Sequence, residues 1–89
     1  MAQVFISAPM RKLTNGQTQV HVSGSTLREL IENLEKQFPG IRLHLMEDDQ
    51  LMPGLAAIVD GEATIYGLYQ KLSEHTEVHF LPAISGGGH

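Results

Sequence analysis

The sequence predicts an α+β fold, a small mixed sheet with one main helix packed on one face. Three observations carry that expectation. Residues 27–38 place apolar side chains at helical spacing. Residues 3–8 and 76–81, near opposite ends of the chain, alternate as strands do. Asn15-Gly16 and Asp60-Gly61 are turn signals that fold the neighbouring segments back into hairpins. The length of 89 residues allows one domain. A domain of this size buries only about 60–65% of its unfolded surface, so the core must be well patterned. The 42% hydrophobic content supports such a core and excludes general disorder.

The elements follow in order. In residues 3–8, Val4 and Ile6 share one face and Phe5 and Ser7 the other. Pro9 limits how far that strand pairs. After a longish loop through Asn15-Gly16, residues 17–22 alternate again, with Thr18, Val20 and Val22 on one face. The helix is predicted at about residues 26–37. Thr26 and Glu29 fit a capping box, in which each side chain satisfies a free backbone N–H. Leu27, Leu30, Ile31, Leu34 and Phe38 form one apolar stripe, and Pro39-Gly40 ends the run. Ile41, Leu43 and Leu45 fit either a short strand or a turn of helix. Residues 47–50 read as an exposed loop, and residues 55–59 as a strand entering the Asp60-Gly61 turn. Residues 63–72 read as an irregular strand, a break at Gly67 and a helical turn pairing Leu68 with Leu72. The last strand starts at Thr76, with Val78 and Phe80 on one side and His79 and Leu81 on the other. One helix over one face of the sheet buries both apolar stripes. With the two end strands paired centrally, this is the β-grasp, or ubiquitin-like, arrangement. Residues 1–84 form that domain, and residues 85–89 a flexible glycine tail.

Composition excludes several classes of function. The net charge is −4, and the six basic residues are scattered, with only Arg11-Lys12 adjacent; no nucleic-acid footprint is present. There is no cysteine, which removes disulfides, thiolate metal sites and cysteine nucleophiles. No apolar run approaches a membrane span, and the first residues lack signal-peptide features, so a cytoplasmic location is expected. His21, His44, His75, His79 and His89 fall on separate elements without ligand spacing, and Glu47-Asp48-Asp49 lacks a calcium-loop pattern. No metal site and no bound cofactor are expected.

The unusual feature is the ending, "LPAISGGGH", residues 81–89. Glycine is the costliest residue to order, so three in succession need a reason beyond packing. Together with residues 24–42 ("GSTLRELIENLEKQFPGIR"), the "VDGE" turn at 59–62 and residues 78–87 ("VHFLPAISGG"), the chain resembles the ubiquitin-like sulfur-carrier family. That family includes the small subunit of molybdopterin synthase, the thiamine sulfur carrier and the cysteine-biosynthesis carrier. The cysteine-pathway carriers are the most similar, sharing the "FPGI" helix exit and the Pro-Ala, aliphatic, small, Gly-Gly ending.

The resemblance implies a carrier and not an enzyme. A partner adenylating enzyme, related to ubiquitin-activating enzymes, spends ATP to join the C-terminal carboxylate to AMP. A sulfur donor then leaves a thiocarboxylate for a sulfur-accepting biosynthetic enzyme. By register, Gly86-Gly87 is the presented pair and Gly87 the reacting end; a register ending at Gly88 is the nearest rival. Gly88-His89 departs from the family pattern. It matches either an extension of the kind a JAMM-type metallopeptidase removes or a tag remnant. The two residues displace the carboxylate by up to ~7 Å. By strand parity Phe5, Ile58, His79 and Leu81 share the open sheet face, opposite Val4, Ile6, Val59, Val78 and Phe80, and are expected to dock the partner enzymes. Two other functions use the same features: a ubiquitin-like modifier conjugated through the same glycine, and an interaction module whose tail does nothing.

Overall fold

The computed structural model describes residues 1–82. Chain order is β1 (Ala2–Phe5), a 3-10 helix (Ala8–Thr14), β2 (Gln19–Val22), α1 (Leu27–Gln37), α2 (Arg42–Leu45), β3 (Met46–Glu47), β4 (Gln50–Leu51), β5 (Leu55–Val59), β6 (Glu62–Ala63), a second 3-10 helix (Gly67–Tyr69) and β7 (Glu77–Pro82). Among the described residues, five strands form one sheet in the order β2-β1-β7-β5-β6. β1 and β7 are parallel neighbours near the middle, and the other pairs are antiparallel. This is the predicted α+β, β-grasp arrangement.

The core lies between α1 and one sheet face. Strand alternation turns Val4, Val20, Val22, Val78 and Phe80 inward. Helical spacing turns Leu27, Leu30, Ile31, Leu34 and Phe38 down to meet them, all buried. The Thr26 hydroxyl caps α1 by accepting the Glu29 N–H at 3.2 Å. The Glu29 carboxylate reaches back one residue further than the predicted box, to the Ser25 N–H at 2.7 Å. At the other end Glu35 accepts the Gly40 and Arg42 N–H groups at 3.0 and 2.8 Å, which fixes the turn out of the helix.

Three local readings change. The first strand ends at Phe5, and the predicted loop after it is a 3-10 helix. Pro9 has no N–H to give to a sheet, but its fixed φ suits a first helical turn. Ile41 and Leu45 are buried while Leu43 is exposed, so the open choice at residues 41–45 resolves as a turn of helix. Residues 47–50, read as an exposed loop, are exposed, but they form a tight hairpin. Asp48 and Asp49 both take positive φ, 53° and 60°, which is the backbone of a type I′ turn. The Asp60-Gly61 turn forms as predicted. Among the described residues no helix is long and apolar enough to cross a membrane.

Candidate docking face and tail exit

The open sheet face is built by register. Phe5 pairs with Gln19 and with His79, His79 with Ile58, and Ile58 with Ala63. Directly paired residues point to the same side, so Gln19, Phe5, His79, Ile58 and Ala63 form one row across the sheet. The parity that buries Val4, Val78 and Phe80 is what turns this row outward. Val59, expected beneath the helix, lies on that side but is half-buried near the strand end.

At the centre of the row the Phe5 and His79 rings stack, with centroids 4.1 Å apart and planes within 3°. Phe5, Ile58 and His79 are half-buried, while Leu81 is 44% exposed. Leu81 pairs with Ala56 beside this row, and Pro82 follows it. The structure thus brings Phe5, Ile58, His79 and Leu81 together on one face, next to where the chain leaves the sheet. The tail glycines Gly86, Gly87 and Gly88, with His89, lie outside the described residues, as does the expected boundary between residues 84 and 85.

One neighbour of this face was not singled out in the sequence. Arg11 lines the groove formed by Phe5, His79, Leu81 and Gln19. Its Nε donates to the Ile6 carbonyl at 3.2 Å, which holds the guanidinium stem beside the sheet. The available signal was the Arg11-Lys12 pair itself, the one adjacent basic pair in the chain. Its placement depends on the 3-10 helix, which alternation alone does not reveal.

The histidines His21, His44 and His75 are exposed and stand on different elements from His79. Among the described residues no group of three potential ligands could hold a metal ion. Asp49 of the acidic turn pairs with Arg28 at 2.9 Å. Glu35 is the group with a displaced carboxyl. The backbone N–H groups of Gly40 and then Arg42 favour its charged form and lower its pKa, with a smaller contribution from the Arg42 charge, against some desolvation. Its position at the helix exit makes this a structural contact and not a catalytic one.

Comparison with known proteins fits this geometry. The model of the ThiS family matches residues 4–87. The sulfur carrier protein CysO of Mycobacterium tuberculosis is 34% identical over 93 aligned positions, covering 94% of this chain and 98% of that protein. The crystal structure of Mycobacterium tuberculosis CysO, described as an antigen, superposes with a TM-score of 0.88 at 30% identity, over 94% of this chain and all of that one. A chain in the crystal structure of the Amycolatopsis orientalis BexX/CysO complex gives 0.90 at 27% identity, over 98% of this chain and 100% of that chain. The small archaeal modifier protein 1 of Methanosarcina acetivorans, at 21% identity and a TM-score of 0.80 over 97% of this chain and 95% of that one, shares the fold. With a family match over nearly the whole sequence and curated relatives alike along almost their full length, the chain belongs to the ThiS family of ubiquitin-like sulfur carriers, whose members act as carriers and not as enzymes.

Proposed function

We propose that this protein carries sulfur for cysteine biosynthesis as a C-terminal thiocarboxylate on Gly87. The observation that carries the reading is the family match, which runs through Gly86-Gly87 and stops there. Support comes from β7, which leads from the sheet centre past the apolar row at Leu81 toward the tail. The similarity to sulfur carrier proteins named CysO favours the cysteine pathway over the molybdopterin and thiamine ones.

The chemistry needs little from the carrier beyond its end. A carboxylate is a poor acyl donor. A ubiquitin-activating-like partner transfers AMP from ATP to the Gly87 carboxylate and releases pyrophosphate. A sulfur nucleophile then attacks the acyl carbon and displaces AMP, leaving C(O)S⁻. The reacting carbonyl must come within about 3–3.5 Å of its partner atoms. Glycine lets the tail thread a narrow channel, because it has no Cβ and tolerates φ values other residues avoid. Phe5, Ile58, His79 and Leu81 give the adenylating enzyme, and then the sulfur-accepting enzyme, an apolar docking surface. In this reading the carrier works in the cytoplasm, binds no cofactor of its own, and matures when a JAMM-type peptidase removes Gly88-His89.

Intact-mass measurement tests the proposal. A chain truncated after Gly87, incubated with its adenylating enzyme, ATP and a sulfide source, should gain the sulfur-for-oxygen mass increment. The chain ending at His89 should not, until the peptidase is added. Equal conversion of the uncleaved chain would overturn the assignment of Gly87 as the reacting end. Appearance of a lysine conjugate with no sulfur product would indicate a protein modifier instead.

A further inference from the structure

A second apolar patch stands at the other end of the sheet, beyond β6. Ile65 is 85% exposed, Tyr66 63% and Tyr69 84%. Among the described residues these are half of the large hydrophobic side chains left open to water. Scattered exposed apolar residues are ordinary, but three within five residues on a fixed backbone are not. The segment is fixed from several sides. Leu68, between the tyrosines, is buried in the core. The Tyr69 N–H donates to the Tyr66 carbonyl and the Tyr66 N–H to the Thr64 hydroxyl, both at 3.1 Å. The Leu27 N–H donates to the Gln70 carbonyl at 2.9 Å, tying the segment to the start of α1. The rings are therefore held outward by the fold.

The surroundings are acidic. The groove beside the tyrosines includes Asp49, Gln50 and Leu51, and a second one at its flank includes Glu62. Asp48 stands next to Asp49 in the same tight turn and is exposed. Among the described residues no cation lines either groove, and Lys71 lines a third, shared with Tyr66, Tyr69 and Gln70. Arg28 pairs with Asp49, but Asp48 and Glu62 form no ion pair among the described residues. Aromatic faces attract guanidinium and ammonium groups, and basic side chains lay their aliphatic stems along apolar surface.

We propose that Ile65, Tyr66 and Tyr69, with the carboxylates of Asp48 and Glu62, form a second docking surface for a protein segment that alternates basic and aliphatic side chains. The tyrosine faces take the cationic heads and stems, Ile65 takes an aliphatic neighbour, and the carboxylates set the sign of charge. This surface is separate from the Phe5–His79 face, and it stands whether or not the tail carries sulfur.

The test is a titration of the isotope-labelled full chain, followed by amide chemical shifts, with an acetylated and amidated pentapeptide alternating leucine and arginine. Saturable shifts are expected in residues 64–71 and 48–51. The affinity should fall about tenfold or more in a Tyr66→Ser, Tyr69→Ser variant, whose changes are at exposed positions. An Asp48→Lys, Glu62→Lys variant, which keeps both rings, should weaken binding similarly. The matching leucine–glutamate peptide should produce no saturable shifts. No saturation with the basic peptide, equal response to the acidic one, or full affinity in either variant would overturn the proposal.

Discussion

The Phe5 and His79 rings lie flat against each other across the parallel seam of β1 and β7, 4.1 Å apart, on the sheet face that α1 leaves uncovered. A stacked pair is worth about 0.5–1.5 kcal/mol beyond its area. It also makes a rigid, low-entropy platform beside Leu81, which favours binding. Leu81→Glu puts a charge at the edge of that platform without touching the core. Binding to the adenylating enzyme should weaken about tenfold or more, while the thermal midpoint stays near that of the unsubstituted chain. Calorimetric titration paired with a thermal melt checks both. Unchanged affinity would show that the partner docks elsewhere.

Leu30 sits on α1 with no exposed surface, between Leu27 and Leu34 on the apolar stripe. Leu30→Ala should cost roughly 2–5 kcal/mol, from lost transfer energy plus the cavity left behind. Denaturant unfolding should show a lower midpoint at unchanged slope.

The helix, the turns at Asn15-Gly16 and Asp60-Gly61 and both sheet faces were legible because their patterns are simple, whereas the hairpin at residues 47–50 was not. Val4, Val78 and Phe80 against Phe5, His79 and Leu81 is a strict period of two, and Leu27 to Phe38 is a helical stripe. The 3-10 helix at Ala8–Thr14 was not legible. Its one strong signal, Pro9, argues against a strand without saying what replaces it, and only Met10 and Thr14 are buried there. At residues 41–45 the apolar residues alternate, so sequence spacing cannot separate strand from helix; burial of Ile41 and Leu45 with Leu43 exposed does. The tyrosine patch was not legible for a related reason. Large apolar residues are expected to turn inward, and only the buried Leu68 among them does. Of the site, the outward placing of Phe5, Ile58, His79 and Leu81 was readable from strand parity, whereas the Arg11 position needed the fold.

Glu35 gives a pH dependence with a defined sign. Its folded-state pKa is held below the ordinary glutamate value of 4.5, first by the Gly40 N–H and then by the Arg42 N–H. A carboxylate lowered in the folded state contributes stability above its unfolded pKa and loses it as pH falls through the folded one. The chain should therefore lose stability on acidification from about the ordinary carboxylate range downward. Glu35→Gln should be less stable near neutral pH and should flatten that part of the profile. Thermal midpoints across an acid series measure both effects. An unaltered slope in the variant would mean that other carboxylates carry the acid sensitivity.

Gly24 precedes α1 and lies against it more closely than any side chain allows. A Cβ built on Gly24 would fall 2.7 Å from the Leu30 nitrogen and 2.8 Å from its Cα. Those are backbone atoms of a helix whose Leu30 side chain is fully buried, so neither can yield without moving α1. The bend at residues 23–25 is also where Asn33 donates to the Ser23 carbonyl at 2.9 Å and Glu29 accepts the Ser25 N–H. Gly24→Ala should therefore destabilise by about 1–3 kcal/mol, as overpacked sites do. Gly16→Ala is the control. Its φ is +82° but nothing lies within 4 Å of a Cβ there, so it carries only the left-handed backbone cost, about 1–2 kcal/mol. The two are separated by amide shifts. Gly24→Ala should displace signals along α1, from Leu27 to Leu34, and Gly16→Ala should change only its own turn. Wild-type shifts in α1 for Gly24→Ala would mean that the helix is not seated on this backbone contact.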